Sequence, residues 1–277
     1  MIGLVGRLID RNSQSTVVMD LVKELGNNLT GVDGVKLNPT RACTLENLLT
    51  QNFGPDVEAK LIRRFKSKKN VVIHIGMGPD PATLDLVAKM FVTEHFKTDL
   101  MALRLSHENG LAVPRVVDAD DGVILMDFVS GEPLTEQINR TFEPALIGDL
   151  AKWYYNYHSI RDMIKGDPRL RNFICAENAL VGLDFEETTS GHWILDIGGA
   201  SASLLDTKPV FDSRKRKLVW HFLEEYLSLR GKDRSKSIDG LFITTVSEAL
   251  KRTAYWRKDD GILALADQVR KSGIPVD

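Results

Sequence analysis

The sequence predicts an α+β fold in two lobes, a small mixed β-sheet lobe and a larger, mainly helical one. Three observations carry this expectation. Between about residues 70 and 130, apolar residues come in short β-type runs broken by turn residues, as in Val71, Val72, Ile73 and Ile75. Beyond about residue 140 they recur at helical spacing, as in Leu146, Leu150, Trp153, Tyr154 and Tyr157. With 277 residues, 43% hydrophobic and 27% charged, the chain is long enough for one large domain or two lobes with a sizeable core.

Taken in order, residues 1–55 form an N-terminal segment whose role stays open. Val18, Leu21, Val22 and Leu25 have helical spacing before Gly26, and Leu45, Leu48 and Leu49 suggest a second short helix after Thr44. Asn27-Asn28 and Asp33-Gly34 mark turns between them, so the segment is either an added layer or the start of the small lobe. Residues 56–130 are expected to form that lobe. The strand at Val71–Ile75 breaks at Gly76-Met77-Gly78-Pro79-Asp80-Pro81, and a second run (Leu84, Leu86, Val87, Met90, Phe91) contains Lys89. A helix with Phe96, Leu100, Leu103 and Leu105 follows and ends near Asn109-Gly110. Val113–Val117 and Val123–Val129 read as strands around the turn Asp120-Asp121-Gly122, and Ser130-Gly131-Glu132-Pro133 closes the unit.

Residues 131–277 are expected to form the large lobe. One helix ends near His158-Ser159. Another is capped by Asp212, carries Leu218, Phe222, Leu223, Tyr226 and Leu229 as its face, and stops at Gly231. A last helix covers about Ile262 to Val269.

Composition excludes several classes of function. A net charge of −2 argues for neither a nucleic-acid nor a membrane partner. The basic runs Arg63–Lys69 and Arg214–Lys217 read as solvated helix ends or faces. Cys43 and Cys175 lack neighbours at metal-ligand spacing, which argues against a disulfide framework or a zinc site. The N-terminal run MIGLVGRLIDRN is too short and too soon charged for a signal peptide, and no run nears the roughly 20 apolar residues that span a bilayer. A soluble, cytoplasmic protein is expected.

The chemistry concentrates between residues 161 and 199. Asp167 is followed five residues on by Asn172, and Asp184 lies twelve further, inside the apolar run Leu180, Val181, Leu183 and Phe185. Phosphoryl transfer from a nucleotide to a hydroxyl needs such a set. One carboxylate orients the attacking hydroxyl, while an amide and a second carboxylate hold Mg²⁺ on the phosphates.

The segment resembles the aminoglycoside-phosphotransferase and choline-kinase branch of the protein-kinase-like superfamily. There it reads H-G-D-x-x-x-x-N, then I-D-F-E, then F-D-I-G. Here it reads Lys165-Gly166-Asp167 with Asn172, then Leu183-Asp184-Phe185-Glu186, then Leu195-Asp196-Ile197-Gly198. The stretches LRLSHENGLAVPRVV and ILMDFVSGEPL also resemble that branch's helix-to-strand and hinge sequences, and the likeness covers about residues 70 to 230.

The resemblance implies a two-lobed protein-kinase-like fold, with ATP and Mg as cofactors. It implies Asp167 as catalytic base or hydroxyl-orienting group, and Asn172 and Asp184 as Mg²⁺ ligands. Lys89 would contact the phosphates and pair with Asp99, with Glu94 as the alternative partner. Met126, Asp127 and Val129 would line the hinge, where adenine meets backbone groups. Asp196 would accept N–H bonds from the catalytic loop, and His158 would be a core or supporting residue. Lys165 stands where the branch has His, from where it could reach a phosphate. The glycine loop over the phosphates is not located: Gly76 and Gly78 fit either that role or a plain hairpin turn.

The function implied is transfer of the γ-phosphate of ATP to a hydroxyl of a small-molecule acceptor. The alternatives are an atypical RIO-like protein serine/threonine kinase and a catalytically silent nucleotide-binding protein. The short spacing between Asp184 and Asp196 and the absence of an A-P-E-like segment favour the small-molecule acceptor. Glu224 and Glu225, with Trp220 and Tyr226, could bind a cationic acceptor, or the glutamates could lie on an exposed helix face.

Overall fold

The computed structural model describes residues 29–31, 33–78, 84–160 and 162–276. The helix expected at Val18–Leu25 and the Pro79–Pro81 part of the first turn lie outside them. The chain divides into two compact units. One runs to Phe96 and takes back Val116–Phe128; the other comprises Lys97–Arg115 and everything from Val129 on.

The first unit is built on a five-stranded antiparallel sheet. Its strands are β1 (Ala59–Phe65), β2 (Val71–Met77), β3 (Leu84–Met90), β4 (Val116–Asp120) and β5 (Val123–Asp127), in the spatial order β1-β2-β3-β5-β4. The alternation of side chains along a strand sorts the two faces. Val71, Ile73, Ile75, Leu86, Ala88, Met90, Val123 and Leu125 form one apolar layer, with Leu45, Leu48 and Leu49 of helix α1 (Thr40–Phe53) in the same core. The apolar residues around Thr44 thus do form a helix, longer than the spacing predicted, and it covers the sheet. Asn52 ties it to the far edge, its amide donating to Asp118 at 2.8 Å.

β1 was not expected. Its sequence, AKLIRRF, carries Lys60, Arg63 and Arg64, and only Ala59 is buried. That suits an edge strand, where lysine and arginine block pairing with another chain. The Arg63–Lys69 run therefore begins on a sheet edge rather than at a helix end. The strand expected from Val113 starts only at Val116, after Pro114, which has no N–H to give a ladder.

The second unit is mainly helical. Helix α2 (Phe96–Glu108) enters it, and α3 (Leu134–Thr141), α4 (Pro144–Ile160), α5 (Ile194–Leu205), α6 (Ser213–Leu229), α7 (Lys236–Arg257) and α8 (Asp260–Ser272) follow. α4 packs on α6, α5 on α7, and α7 on α8. Asp212 caps α6 as expected, accepting from the Arg214 N–H at 2.9 Å. Lys215, inside the supposedly solvated run, is completely buried. A helix entering the core by its first turn can bury one basic residue if the ammonium finds acceptors.

Short strands between the helices position the loops. β6 (Glu132–Pro133), β8 (Phe173–Cys175) and β9 (Leu180–Gly182) form one small sheet, and β7 (Met163–Ile164) pairs with β10 (Thr189–Ser190). Trp153 on α4 anchors this region, its indole donating to the Ala112 carbonyl at 3.0 Å. Gly182 admits it: a Cβ there would lie 2.2 Å from the indole ring.

Candidate active site

The β8–β9 hairpin brings two of the expected residues together. Phe173 faces Gly182 in its register, and the Leu183 N–H donates to the Asn172 carbonyl at 2.8 Å. Asn172, closing a 3₁₀ turn (Leu170–Asn172), and Asp184 thus stand at the hairpin's open end. The β7–β10 pair brings the loop bearing Asp167 to the same place, because β7 immediately precedes that loop and β10 follows Asp184 closely. Gly166 makes the approach possible. Its φ is +79°, and a Cβ would lie 2.1 Å from the Glu187 carbonyl oxygen.

Asp196 fixes the loop from below. Its carboxylate accepts from the Lys165 N–H at 2.6 Å and the Gly166 N–H at 3.1 Å, the role the resemblance implied. His158 Nε2 lies 3.1 Å from the same carboxylate, and its Nδ1 lies 2.7 Å from the Tyr226 hydroxyl. His158 supports the loop and stands apart from the chemistry.

Lys165 does not reach outward toward a phosphate. It is fully buried, and its ammonium donates to the carbonyls of Asp184 at 2.6 Å and Asp167 at 3.0 Å. One side chain therefore ties together the loops bearing the two key carboxylates. Burial lowers its pKa, against the upward pull of Asp184, Asp167, Asp196 and Asp99.

The Asp167 carboxylate is gripped by Arg169, with Nε at 2.5 Å from Oδ1 and Nη2 at 2.7 Å from Oδ2. Burial pushes its pKa up, but the Arg169 hydrogen bonds and the Lys165 charge outweigh that and hold it below the usual range. A carboxylate offers about four lone-pair sites, so a bidentate arginine still leaves room for an incoming hydroxyl. Such a group is a weak base suited to orienting a hydroxyl.

Asp184 has a left-handed backbone (φ 62°), a conformation few residues other than glycine adopt, though aspartate enters it more readily than most. Among the described residues, Asp99, Asp184 and Glu186 bring carboxylate oxygens within 4.8 Å of one another. Asp99, in the first turn of α2, also accepts the Phe185 N–H at 2.8 Å. Asn172 donates its amide to the Asp167 carbonyl at 3.3 Å, which leaves its Oδ1 as the atom that could ligate a cation. These hard oxygen donors fit a divalent cation of the Mg²⁺ or Ca²⁺ kind.

Lys89 belongs to the first unit. It is buried on the sheet face opposite α1, in register with Val72 and Ile124, with its ammonium 4.9 Å from the Phe91 ring centroid. His74 and Met126 share that face by alternation, and His74 stacks on Phe128 at 4.0 Å. Met126 and Asp127 end β5, and the chain passes into the second unit at Val129. The Phe128 N–H is already given to the Asp85 carbonyl.

Glu186 and Arg169 were not foreseen as site residues. The signals were present: an acid two places after Asp184, and an arginine two places after Asp167. The surface imagined for a cationic acceptor is already occupied from within. Arg234 lies 4.2 Å from the Trp220 ring centroid and pairs with Glu224 at 2.6 Å, while Arg230 bonds the Tyr226 hydroxyl.

No protein-family model and no curated protein matches the sequence. Solved structures do match. A choline/ethanolamine kinase family protein from Mesorhizobium loti aligns with a TM-score of 0.56 at 12% identity, over 84% of this chain and 95% of that one. The amicoumacin kinase hAmiN, solved with AMP-PNP and Ca²⁺, gives 0.57 at 11% identity over 94% and 95%. An ethanolamine kinase from Plasmodium vivax gives 0.57 at 12% identity over 96% and 92%. The chain has the protein-kinase-like α+β fold in the form these small-molecule kinases share.

Proposed function

We propose that this protein is an ATP-dependent phosphotransferase that moves the γ-phosphate to a hydroxyl of a small-molecule acceptor. The observation that carries the reading is the convergence of Asp167, Asn172 and Asp184 at the end of one hairpin, held by Asp196 and Lys165. The shared fold supports it, because its structural neighbours include choline/ethanolamine, ethanolamine and amicoumacin kinases.

In this reading Asp184 and Asn172 hold Mg²⁺, with Glu186 and Asp99 adding negative charge beside it. Bound Mg²⁺ would neutralise charge on the nucleotide's phosphates. Asp167 orients the acceptor hydroxyl and takes its proton as the new O–P bond forms. Its pKa is below the usual range, so positioning and electrostatics contribute more than basicity, as phosphoryl transfer requires. Arg169 keeps Asp167 ionised. Lys89 contacts the phosphates, and the backbone at Met126, Asp127 and Val129 receives the adenine.

The test is nucleotide binding with and without Mg²⁺. Ligand at about 100 times its dissociation constant adds roughly 2.7 kcal/mol of stability, visible as a melting shift. Asp184→Asn is expected to lose the Mg²⁺-dependent part of that shift. Asp167→Asn should keep it and lose about 10²–10⁴-fold in ADP formation. Absence of any nucleotide shift in the wild type would end the phosphotransferase reading.

A further inference from the structure

The side of the catalytic loop facing away from Asn172 is basic. Leu170 and Asn172 are buried, while Arg169 and Arg171, alternating with them, are exposed. Helix α5 backs this loop. Pro168 lies where a side chain at Gly199 would be, 2.4 Å from its Cβ position, and the Leu170 N–H donates to Ser203 Oγ at 3.2 Å. Asp206 ends α5, just beyond Ser203, and meets Arg257 from the end of α7 at 3.3 Å. Three guanidiniums therefore gather around the loop that carries Asp167.

Their pairing is incomplete. Arg169 is committed to Asp167, and Arg257 is bound through one oxygen of Asp206. Arg171 makes no hydrogen bond or ion pair among the described residues. Arg169 and Arg257 are like charges close enough to repel it, set against the attraction of Asp167 and Asp184. Lys215 adds a fourth positive charge near Asp206, and the carboxylates of Asp206, Asp167, Asp184 and Asp259 stand among these cations. Asp206 Oδ1, on a side chain only 3% exposed, has no hydrogen-bond partner among the described residues. Guanidinium groups held in this way suit an oxyanion, which they bind with paired, charge-assisted hydrogen bonds.

We propose that the acceptor is anionic: a hydroxyl compound whose phosphate or carboxylate group is held by Arg171 and Arg257 while its hydroxyl meets Asp167. This rests on the phosphotransferase reading and narrows it. A cationic acceptor would meet repulsion where an anionic one finds an unused guanidinium.

The test uses the full chain loaded with AMP-PNP and Mg²⁺, at constant ionic strength. Melting shifts are measured with glycerol 3-phosphate, glycerate, glycerol and choline. At least one of the two anions should stabilise the protein, and glycerol and choline should not. A shift with glycerol 3-phosphate alone assigns the site to phosphate, and one with glycerate to carboxylate. Arg171→Gln and Arg257→Gln should each weaken anion binding at least about tenfold, leaving AMP-PNP binding unchanged. The proposal is overturned if neither anion shifts the loaded protein, if choline or glycerol acts equally, or if the double variant binds the anions as the wild type does. An anion shift abolished by AMP-PNP would also overturn it, by assigning the cluster to the nucleotide's own phosphates. Absence of an AMP-PNP shift would sink the phosphotransferase reading itself, a result distinct from all of these.

Discussion

Lys165 and Lys215 are both completely buried, and both donate to oxygens of the chain's own loops. Lys165 holds the carbonyls of Asp167 and Asp184, at the site itself; Lys215 holds the carbonyl of Thr207 at 2.6 Å and its hydroxyl at 2.9 Å, in the turn after α5. Burying an ammonium is costly, and each position offsets the cost differently. Around Lys165 stand four carboxylates, Asp184, Asp167, Asp196 and Asp99, three of them assigned here to the site's work. Around Lys215 stand Asp212 and Asp206, with the like charge of Arg214 opposing, and burial brings its pKa down to about 8. The first lysine is set among carboxylates that the proposed phosphotransfer would use; the second only closes a turn. A buried charge carries function when the groups that compensate it are themselves reactive.

The contrast predicts unequal consequences. Lys165→Met removes the tie between two loops, and displacements of about 1 Å at such a site cost on the order of a hundredfold in rate. ADP formation should fall at least that much, and Mg²⁺-dependent AMP-PNP affinity, read by calorimetry, should fall with it. Lys215→Met should leave both within about twofold, since a well-packed apolar replacement of a buried charge is often neutral. Equal losses in the two variants would break the comparison.

The second difference lies in pH. The folded-state pKa of Lys215 is depressed from 10.5 to about 8, so the unfolded chain binds more protons between those values. Stability from this group is fully present above about pH 10.5 and is lost as pH falls through about 8. At about 1.4 kcal/mol per unit, the ramp is on the order of 3 kcal/mol. Other groups titrate in the same window, among them Cys175, whose thiol burial raises to about 11. The quantity to measure is therefore the difference between wild type and Lys215→Met in denaturant unfolding, from pH 7 to 10.5. A flat difference would mean that Lys215 keeps the unfolded chain's pKa in the folded protein.

These two lysines also show where sequence reading succeeds and where it stops. Local spacing reports elements well: the Lys89-bearing strand, the helix from Phe96 and the cap at Asp212 all lie where pattern and turn chemistry placed them. The order Asp167, Asn172, Asp184 marked a hairpin whose open end the structure supplies. Buried charge left no such trace. Lys215 lies in a run of four basic residues and reads as solvent-facing, because burial depends on what packs against α6 rather than on its neighbours in sequence. Lys165 lies within the motif that carries the resemblance, yet the direction of its side chain is set by two carbonyls, those of Asp167 and Asp184, from separate loops. Asp99 and Glu186 are separated by most of the site's sequence and meet only through tertiary structure. β1 escaped notice because an edge strand full of arginine lacks the apolar alternation that marks a strand.

The smallest effect sharpens the comparison furthest, because it changes one acceptor of Lys215 and leaves the ammonium in place. Thr207→Val keeps the shape of the side chain and the carbonyl at 2.6 Å, but removes the hydroxyl that accepts from Nζ at 2.9 Å. That hydroxyl's one proton also faces the Leu204 carbonyl at 3.0 Å and Asn139 Oδ1 at 3.3 Å, and the bond it donates at the end of α5 disappears with it. Together these predict a loss of about 1 kcal/mol at pH 7. The part owed to Lys215 exists only while the lysine is charged, so the deficit should shrink as pH rises past about 8. The part owed to Leu204 should persist at every pH. A deficit that narrows without vanishing, measured by denaturant unfolding at pH 7 and near pH 10, would separate the two bonds. A deficit independent of pH would show that the hydroxyl serves only its own acceptors, Leu204 and Asn139, leaving the Thr207 carbonyl as the whole of the acceptor for Lys215.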